Sequence, residues 1–313
     1  MILDLKKKES LHIAEALAKA SDVIVENFKP GTMERLGLGA TRLQGLKPAL
    51  VYASISGFGQ NQPTLAGYDQ IAQGTSGMMS VNATPDGPPT KVGIPIGDIS
   101  AGMFASNAIL AALVERATTG KGRYVDIALN DSLLALFTYQ AGRYFATSEV
   151  PTQEGNHRAT IAPYGTFAVS DGFLNVAVAT DAQFQRFCDA IRAPELADDP
   201  TLATNALRQA VKHELARRIE TYLRRGTREE WLVRLEQFGV PAGPILDIEE
   251  AFESPLATGR QMRLEIEHPS AGRISQVGAP WKLDGESSPI RRPPPTLGQH
   301  TDEVLREWMG DDR

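Results

Sequence analysis

Apolar residues at Leu11, Ala14, Leu17 and Ala18 recur at helical spacing and predict a helix over residues 11–20. The run Asp22-Val23-Ile24-Val25-Glu26 that follows reads as a short buried strand. Helix followed by strand is the repeating unit of α/β folds. Asn27-Phe28-Lys29-Pro30-Gly31 breaks the strand, and residues 32–36 open a new helix. A further helix over residues 40–46 stops before Pro48, and residues 49–55 form a second strand of β-forming side chains. Later come a strongly helical run at 102–116, a third strand at 123–129 and an apolar helix at 131–145. The alternation predicts a parallel sheet with helices on its faces, a large domain over residues 1–150.

The pattern changes after residue 149, where proline, glycine and polar residues read as a connection to a different architecture. Residues 165–169 and 173–179 flank Ser170-Asp171-Gly172 and read as a hairpin. Helices are expected at 181–192, 207–225 and 228–238, a strand at 240–247, and two more strands around the turn Ser270-Ala271-Gly272-Arg273. These make a smaller α+β domain over residues 160–278. Residues 279–313 form a tail, extended and proline-rich at first, with a final helix at 302–309.

Composition narrows the function classes. A chain of 313 residues has the length for two domains, and 42% hydrophobic with 22% charged residues is ordinary for a globular protein. A net charge of -6 argues against a nucleic-acid binder, which would present a basic face. The single cysteine, Cys188, lies at helical spacing beside Phe184 and Phe187 and reads as a core thiol. Five scattered histidines show no metal-ligand spacing, so no metal is expected. The N-terminus has no apolar core or cleavage site of a signal peptide, and no stretch approaches the length of apolar residues that spans a bilayer. A cytoplasmic protein with neither membrane nor nucleic-acid partner is the expectation.

Candidate chemistry centres on Asp98, in Gly97-Asp98-Ile99-Ser100-Ala101-Gly102, where a loop rich in glycine and proline gives way to a helical run. A carboxylate at a helix start faces unpaired amides and the positive end of the dipole, which keeps it ionised and oriented. A carboxylate nucleophile needs both, and a plain helix cap needs nothing more. Asn27-Phe28-Lys29-Pro30-Gly31 lies at the carboxyl end of a strand, where open α/β sheets bind ligands, and reads equally as a turn. Thr119-Gly120-Lys121-Gly122 resembles a P-loop only in part: Glu115 replaces its first glycine and Gly122 its Ser or Thr.

Five segments occur in a fixed order: Gly67-Tyr68-Asp69, Gly77-Met78-Met79, Asp86-Gly87-Pro88-Pro89, Gly97 to Gly102, and Arg116 to Asp126. In that order and spacing the chain resembles the family III CoA-transferases, the CaiB/BaiF group, from near Leu3 to the C-terminal Pro-Pro-Pro-Thr-Leu-Gly-Gln-His-Thr-Asp-Glu-Val-Leu. The resemblance implies a Rossmann-like large domain, a small α+β domain, and a tail that returns to the large one. It also implies two subunits interlocked as a homodimer. The implied reaction moves CoA from an acyl-CoA donor to a carboxylic acid acceptor through an aspartyl-CoA thioester on Asp98. The CoA thioester is a substrate, and no cofactor is bound permanently. By the same likeness Asn27, Phe28 and Lys29 lie against CoA, Arg35 faces a CoA phosphate, and Leu3 and Lys6 belong to a segment lining the CoA site. Taken by itself, Arg35 reads as an exposed arginine and Lys6 as one of three solvated lysines. Tyr68 stands where the related α-methylacyl-CoA racemases carry histidine. Tyrosine, with a pKa of about 10, is a poor base at neutral pH, which favours transfer over a racemase-like isomerisation. Two departures stand out. Family members begin with a further strand, helix and strand, so this chain is expected either to be longer in full or to be a shortened, non-catalytic acyl-CoA-binding relative. Glu154-Gly155-Asn156-His157 has one glycine where some members carry a tetraglycine flap.

Overall fold

Helix α1 (Lys8–Ala20) starts three residues earlier than its apolar spacing requires, because Lys8 and Glu9 extend it and Glu9 complements the positive end of its dipole. It stops at Ser21, whose amide and hydroxyl both donate to the Leu17 carbonyl, at 2.9 and 2.8 Å. The computed structural model describes residues 1–309. Two compact units emerge: Met1–Gln153 together with residues 295–309, and Glu154–Pro294.

In the first unit β1 (Val23–Glu26), α2 (Thr32–Arg35), α3 (Ala40–Leu46) and β2 (Val51–Ser56) follow α1. Then come α4 (Asp69–Thr75), α5 (Met78–Val81), α6 (Ile96–Thr119), β3 (Tyr124–Ala128), α7 (Leu129–Ala135) and α8 (Tyr139–Thr147). The sheet is parallel, ordered β1-β2-β3, with Val23 opposite Val51 and Tyr52 opposite Tyr124. Successive β2 residues point to opposite faces. Tyr52 therefore joins Ala18, Met33, Leu38, Leu43 and Leu50 in one core, while Ile55 packs against Ala72, Ala101, Leu129 and Leu133 in the other. The Tyr52 hydroxyl donates to the Leu38 carbonyl at 3.0 Å, which satisfies its one polar group within the core.

Four sequence expectations need correction here. The strand at 22–26 is not buried throughout: β1 pairs only with β2, and Val25 on its free face is exposed. The helix expected from Gly102 begins at Ile96, so Asp98 lies inside its first turn rather than ahead of it. Its 24 residues are also long and apolar enough by composition to cross a membrane, one such helix among the described residues. The small residues Ala101, Ala105 and Ala112 are its buried side, and α6 packs there against β2, β3, α4 and α7. The single helix expected at 131–145 is two, α7 and α8, because Thr138 adopts φ +41°, outside any right-handed helix.

The second unit opens with the hairpin β4 (Tyr164–Val169) and β5 (Gly172–Ala177), in antiparallel register with Val169 opposite Gly172. Helix α9 (Asp181–Ile191) starts on a reciprocal cap between Thr180 and Gln183. Then follow α10 (Pro194–Ala197), a 3-10 turn (Pro200–Leu202), α11 (Asn205–Ala210), α12 (Lys212–Leu223) and α13 (Arg228–Gln237). The continuous helix expected at 207–225 is interrupted at Val211, which leaves helical geometry (φ -120°, ψ 23°). Strand β6 (Ala242–Pro244) is shorter than the expected 240–247, since Pro241 and Pro244 lack the amides a longer ladder needs. Phe167, Leu174, Val176, Phe184, Phe187, Leu215, Ile219 and Leu223 form its core. Cys188 is buried among them, and burial pushes its thiol up to about 12, so it stays protonated and inert at neutral pH.

Helices α14 (Ile248–Glu253) and α15 (Pro255–Gly259) lead to the antiparallel pair β7 (Arg263–His268) and β8 (Gly272–Val277). A small hairpin, β9 (Lys282–Leu283) and β10 (Glu286–Ser287), is tied back to this region: Lys282 Nζ donates to the Arg260 carbonyl at 2.5 Å and Ser287 Oγ to Gln261 Oε1 at 2.6 Å. Residues 279–294 accordingly cluster with the second unit. In the first unit α16 (Thr301–Met309) lies against α1, and Thr301 Oγ1 accepts from the Ile2 amide at 3.2 Å.

Candidate active site

Parallel strands β1 and β2 end side by side at Glu26 and Ser56, and the loops leaving those ends wall a cleft of 520 Å³. The first loop is held by its own strand ends: Asn27 Nδ2 donates to the Ile55 carbonyl at 2.8 Å, and the buried Glu26 carboxylate accepts from the Phe28 amide at 2.8 Å. Phe28 and Lys29 thereby face the cleft. The second loop, residues 57–68, doubles back so tightly that a Cβ on Gly57 would lie 2.2 Å from the Gly67 Cα. Only two glycines allow that approach. It delivers Tyr68, 72% exposed, and Asp69 to the opposite wall.

Asp98 enters the same cleft from the first turn of α6. Pro95, the residue before that helix, provides no side-chain cap. The cap comes instead from another element: Asp69 Oδ1 accepts the Gly97 amide at 2.7 Å. Asp69 thus heads α4 and caps α6 at once, which leaves Asp98 with no hydrogen bond to its carboxylate among the described residues. The cleft walls, and after them the Asp69 charge, hold the Asp98 carboxyl above the ordinary carboxylate range. Asp98 still reaches solvent, so the lift is that of a half-walled group rather than a buried one. An unengaged carboxylate with raised basicity, set beside the dipole end of a long helix, has the chemistry that a carboxylate nucleophile needs.

Of the residues singled out in the sequence, Asn27, Phe28, Lys29, Tyr68, Asp69 and Asp98 converge on this cleft. Arg35 does not line it: it sits on α2, one turn beyond, with its guanidinium donating to Thr32 Oγ1 at 2.9 Å. Leu3 and Lys6 precede α1 and also lie outside the lining, with Lys6 exposed. Residues missed in the sequence are those of the loop from 57 to 66, among them Phe58, Gln62 and Leu65, and the fully buried Gln73 behind the Asp69 carboxylate. The strand-end rule that selected Asn27 applies equally after Ser56 and would have selected this loop.

The model of the family described as CoA-transferase family III matches residues 1–301. The chain belongs to the family III CoA-transferases. It is therefore an enzyme that moves CoA from an acyl-CoA to a carboxylic acid. A succinate–glutarate CoA-transferase of Agrobacterium fabrum is 38% identical over 309 residues, 98% of this chain and 77% of the relative's length. An acetyl-CoA:oxalate CoA-transferase of Acetobacter aceti is 36% identical over 98% of this chain and 79% of its own. The crystal structure of a CaiB/BaiF family protein from Brucella suis superposes with a TM-score of 0.86 at 33% identity, covering 98% of this chain and 80% of that one.

Proposed function

We propose that this transferase works through Asp98 and takes a small dicarboxylic acid as acceptor. The Asp98 carboxylate attacks the thioester carbonyl of the donor, the CoA thiolate leaves, and a mixed anhydride forms. The thiolate then attacks the aspartyl carbonyl, which releases the donor acid and leaves an aspartyl-CoA thioester. The acceptor carboxylate attacks that thioester and expels the thiolate. The thiolate takes the acyl group from the second anhydride and frees Asp98. One thioester is consumed and one made, so atoms and charge balance without an oxidant or reductant. The protein's contribution is position, together with the positive end of the α6 dipole, because the Gly97 and Ile99 amides are already engaged by Asp69 and by the Pro95 carbonyl.

The observation that carries this reading is the unengaged Asp98 carboxylate with its raised basicity, in a cleft whose other walls include the aromatic Phe28 and the cationic Lys29. Phe28 suits a CoA base and Lys29 its phosphates. The dicarboxylate class is supported by the names of the two relatives, built on succinate, glutarate and oxalate. A homodimer fits the apolar side chains that the first unit leaves exposed on α6 and α8.

The test is covalent trapping. The protein is incubated with succinyl-CoA and acetyl-CoA, quenched with hydroxylamine or borohydride, and the modified peptide is mapped. Modification at Asp98 that disappears in Asp98→Ala is expected. A folded protein that transfers CoA to glutarate or oxalate yet never carries the label would overturn the aspartyl route. Exchange of the α-proton in deuterated water without any acceptor acid would point instead to isomerisation.

A further inference from the structure

Gln73 is fully buried, yet it is a polar side chain with both ends engaged. Its Nε2 donates to Asp69 Oδ2 at 2.7 Å, and its Oε1 accepts the Val92 amide at 2.8 Å. The amide cannot turn over without losing both bonds, since a carboxylate only accepts and a backbone amide only donates. Asp69 is therefore gripped by two donors, Gln73 from its own helix and Gly97 from α6. Val92 belongs to the loop that ends at Pro95, immediately before α6. A chain of hydrogen bonds thus runs from the loop, through Gln73 and Asp69, to the amide next to Asp98.

The Cβ that any other residue would bring to position 97 would stand 2.9 Å from Asp69 Oδ1 and 3.3 Å from Leu133 Cδ1. The Asp69 carboxylate has no slack on that side, so its orientation depends on what holds it from behind. Gln73 is what holds it.

We propose that Gln73 is a positioning residue for the transfer reaction: through Asp69 and the Val92 amide it fixes the first turn of α6, and with it the direction in which Asp98 faces the cleft. The inference rests on Asp98 being the nucleophile. Gln73 itself does not touch the cleft, so it acts on the rate at Asp98 and not on the affinity for acyl-CoA.

The test uses the rate of hydroxylamine-trapped modification at Asp98, its pH dependence and the KM for the acyl-CoA donor, with folding followed by circular dichroism. Gln73→Met keeps the length and removes both bonds; it is expected to slow modification at least tenfold and to displace the acid limb of the pH profile, while KM stays within about twofold of the parent. Asp69→Asn places an amide donor against the Gln73 amide donor and is expected to slow the reaction likewise. The double variant Asp69→Asn with Gln73→Glu restores every bond with the polarity reversed. The carboxylate brought to position 73 would accept from the new side-chain amide at position 69 and from the Val92 amide, while the oxygen of that side-chain amide still accepts from Gly97. Recovery of the rate to within about fivefold of the parent is expected, with the pH profile altered because the negative charge has moved away from Asp98. Gln73→Met that reacts at the parental rate with the parental pH profile overturns the inference. If Gln73→Met does not fold, the double variant decides: one that is no faster than Asp69→Asn, or that does not fold, overturns it too. Absence of any modification at Asp98 in the parent protein, by contrast, refutes the nucleophile itself, and the positioning role of Gln73 falls with it.

Discussion

Gly57 and Gly67 touch backbone to backbone, and the 57–68 loop owes its path to that contact. A methyl group at either position would overlap the facing backbone, with no flexible side chain to yield. Gly67→Ala is expected to displace Tyr68 and Asp69 and to lower transfer on the order of 100-fold, the usual cost of a misplacement of about 1 Å at a reacting site; steady-state kinetics on the folded variant checks it. Asp98 makes a second prediction. Its carboxyl is held above the range of the unfolded chain by the cleft walls and by Asp69, so the folded state prefers the proton. The linked stability is present below the unfolded pKa of about 3.9 and lost as pH rises through the folded value. Asp98→Asn, which cannot ionise, is therefore expected to raise the Tm at neutral pH and to bring little or no gain at pH 3; paired thermal melts read both. The sequence disclosed Asp98 because a carboxylate before a helical run is a local signal. It disclosed Asn27, Phe28 and Lys29 because a strand end is one as well. Gln73 left no trace: its partners stand 4 and 19 residues away and belong to no periodic pattern. Asp69 is a related case, since the bond that matters spans 28 residues and makes it the cap of a helix other than its own.

Periodicity found elements whose apolar spacing is sustained, and it failed where backbone geometry intervenes. Strands β2 and β3 and helices α3, α9 and α13 fall within two residues of expectation at each end. The breaks at Thr138 and Val211 were invisible because the side chains around them keep helical spacing while their own dihedrals leave it. Short elements such as α10, α14 and the β9–β10 hairpin carry too few residues for any period to register. The break between α11 and α12 has an energetic counterpart in Arg208, completely buried on α11. Its guanidinium donates to the Ala162 carbonyl at 2.7 Å, the Leu202 carbonyl at 2.8 Å and Asp181 Oδ1 at 2.7 Å, and stacks 4.5 Å from the Phe184 ring centre. One side chain thus joins the segment before β4, the start of α9 and the 3-10 turn. Helix propensity along 207–225 did not require an ending at Val211; a helix that must aim Arg208 inward at three acceptors does. Arg208→Met keeps much of the apolar stem but strands two buried carbonyls. It is expected to destabilise the second unit by about 2–5 kcal/mol, measured by urea unfolding, with little change in m.

At the scale of the molecule, the first unit has an apolar surface that its own fold does not account for. Met103, Leu110 and Val114 recur at intervals of seven and four residues, one face of α6, and are 64%, 61% and 73% exposed. Phe145 on α8 is 80% exposed, and Val150 just beyond it is 74% exposed. Scattered apolar residues on a surface need no explanation, but a stripe along a 24-residue helix does. The same small-residue composition that lets α6 pack closely on β2 and β3 leaves these larger side chains to the opposite side. The proposed homodimer would bury them, at roughly 1.5–3 kcal/mol for each side chain fully covered. Placing charges there tests it directly. With Leu110→Glu and Val114→Glu combined, four side chains change in a homodimer, and a loss of about 6 kcal/mol or more corresponds to a dissociation constant weaker by roughly 10,000-fold or more. Sedimentation velocity at micromolar concentration is expected to give a dimer for the parent and monomer for the double variant, which retains its fold because neither side chain lies in a core. A double variant that sediments as the parent does would mean that α6 is covered by something else or by nothing, and the dimer would then have to be built from another face.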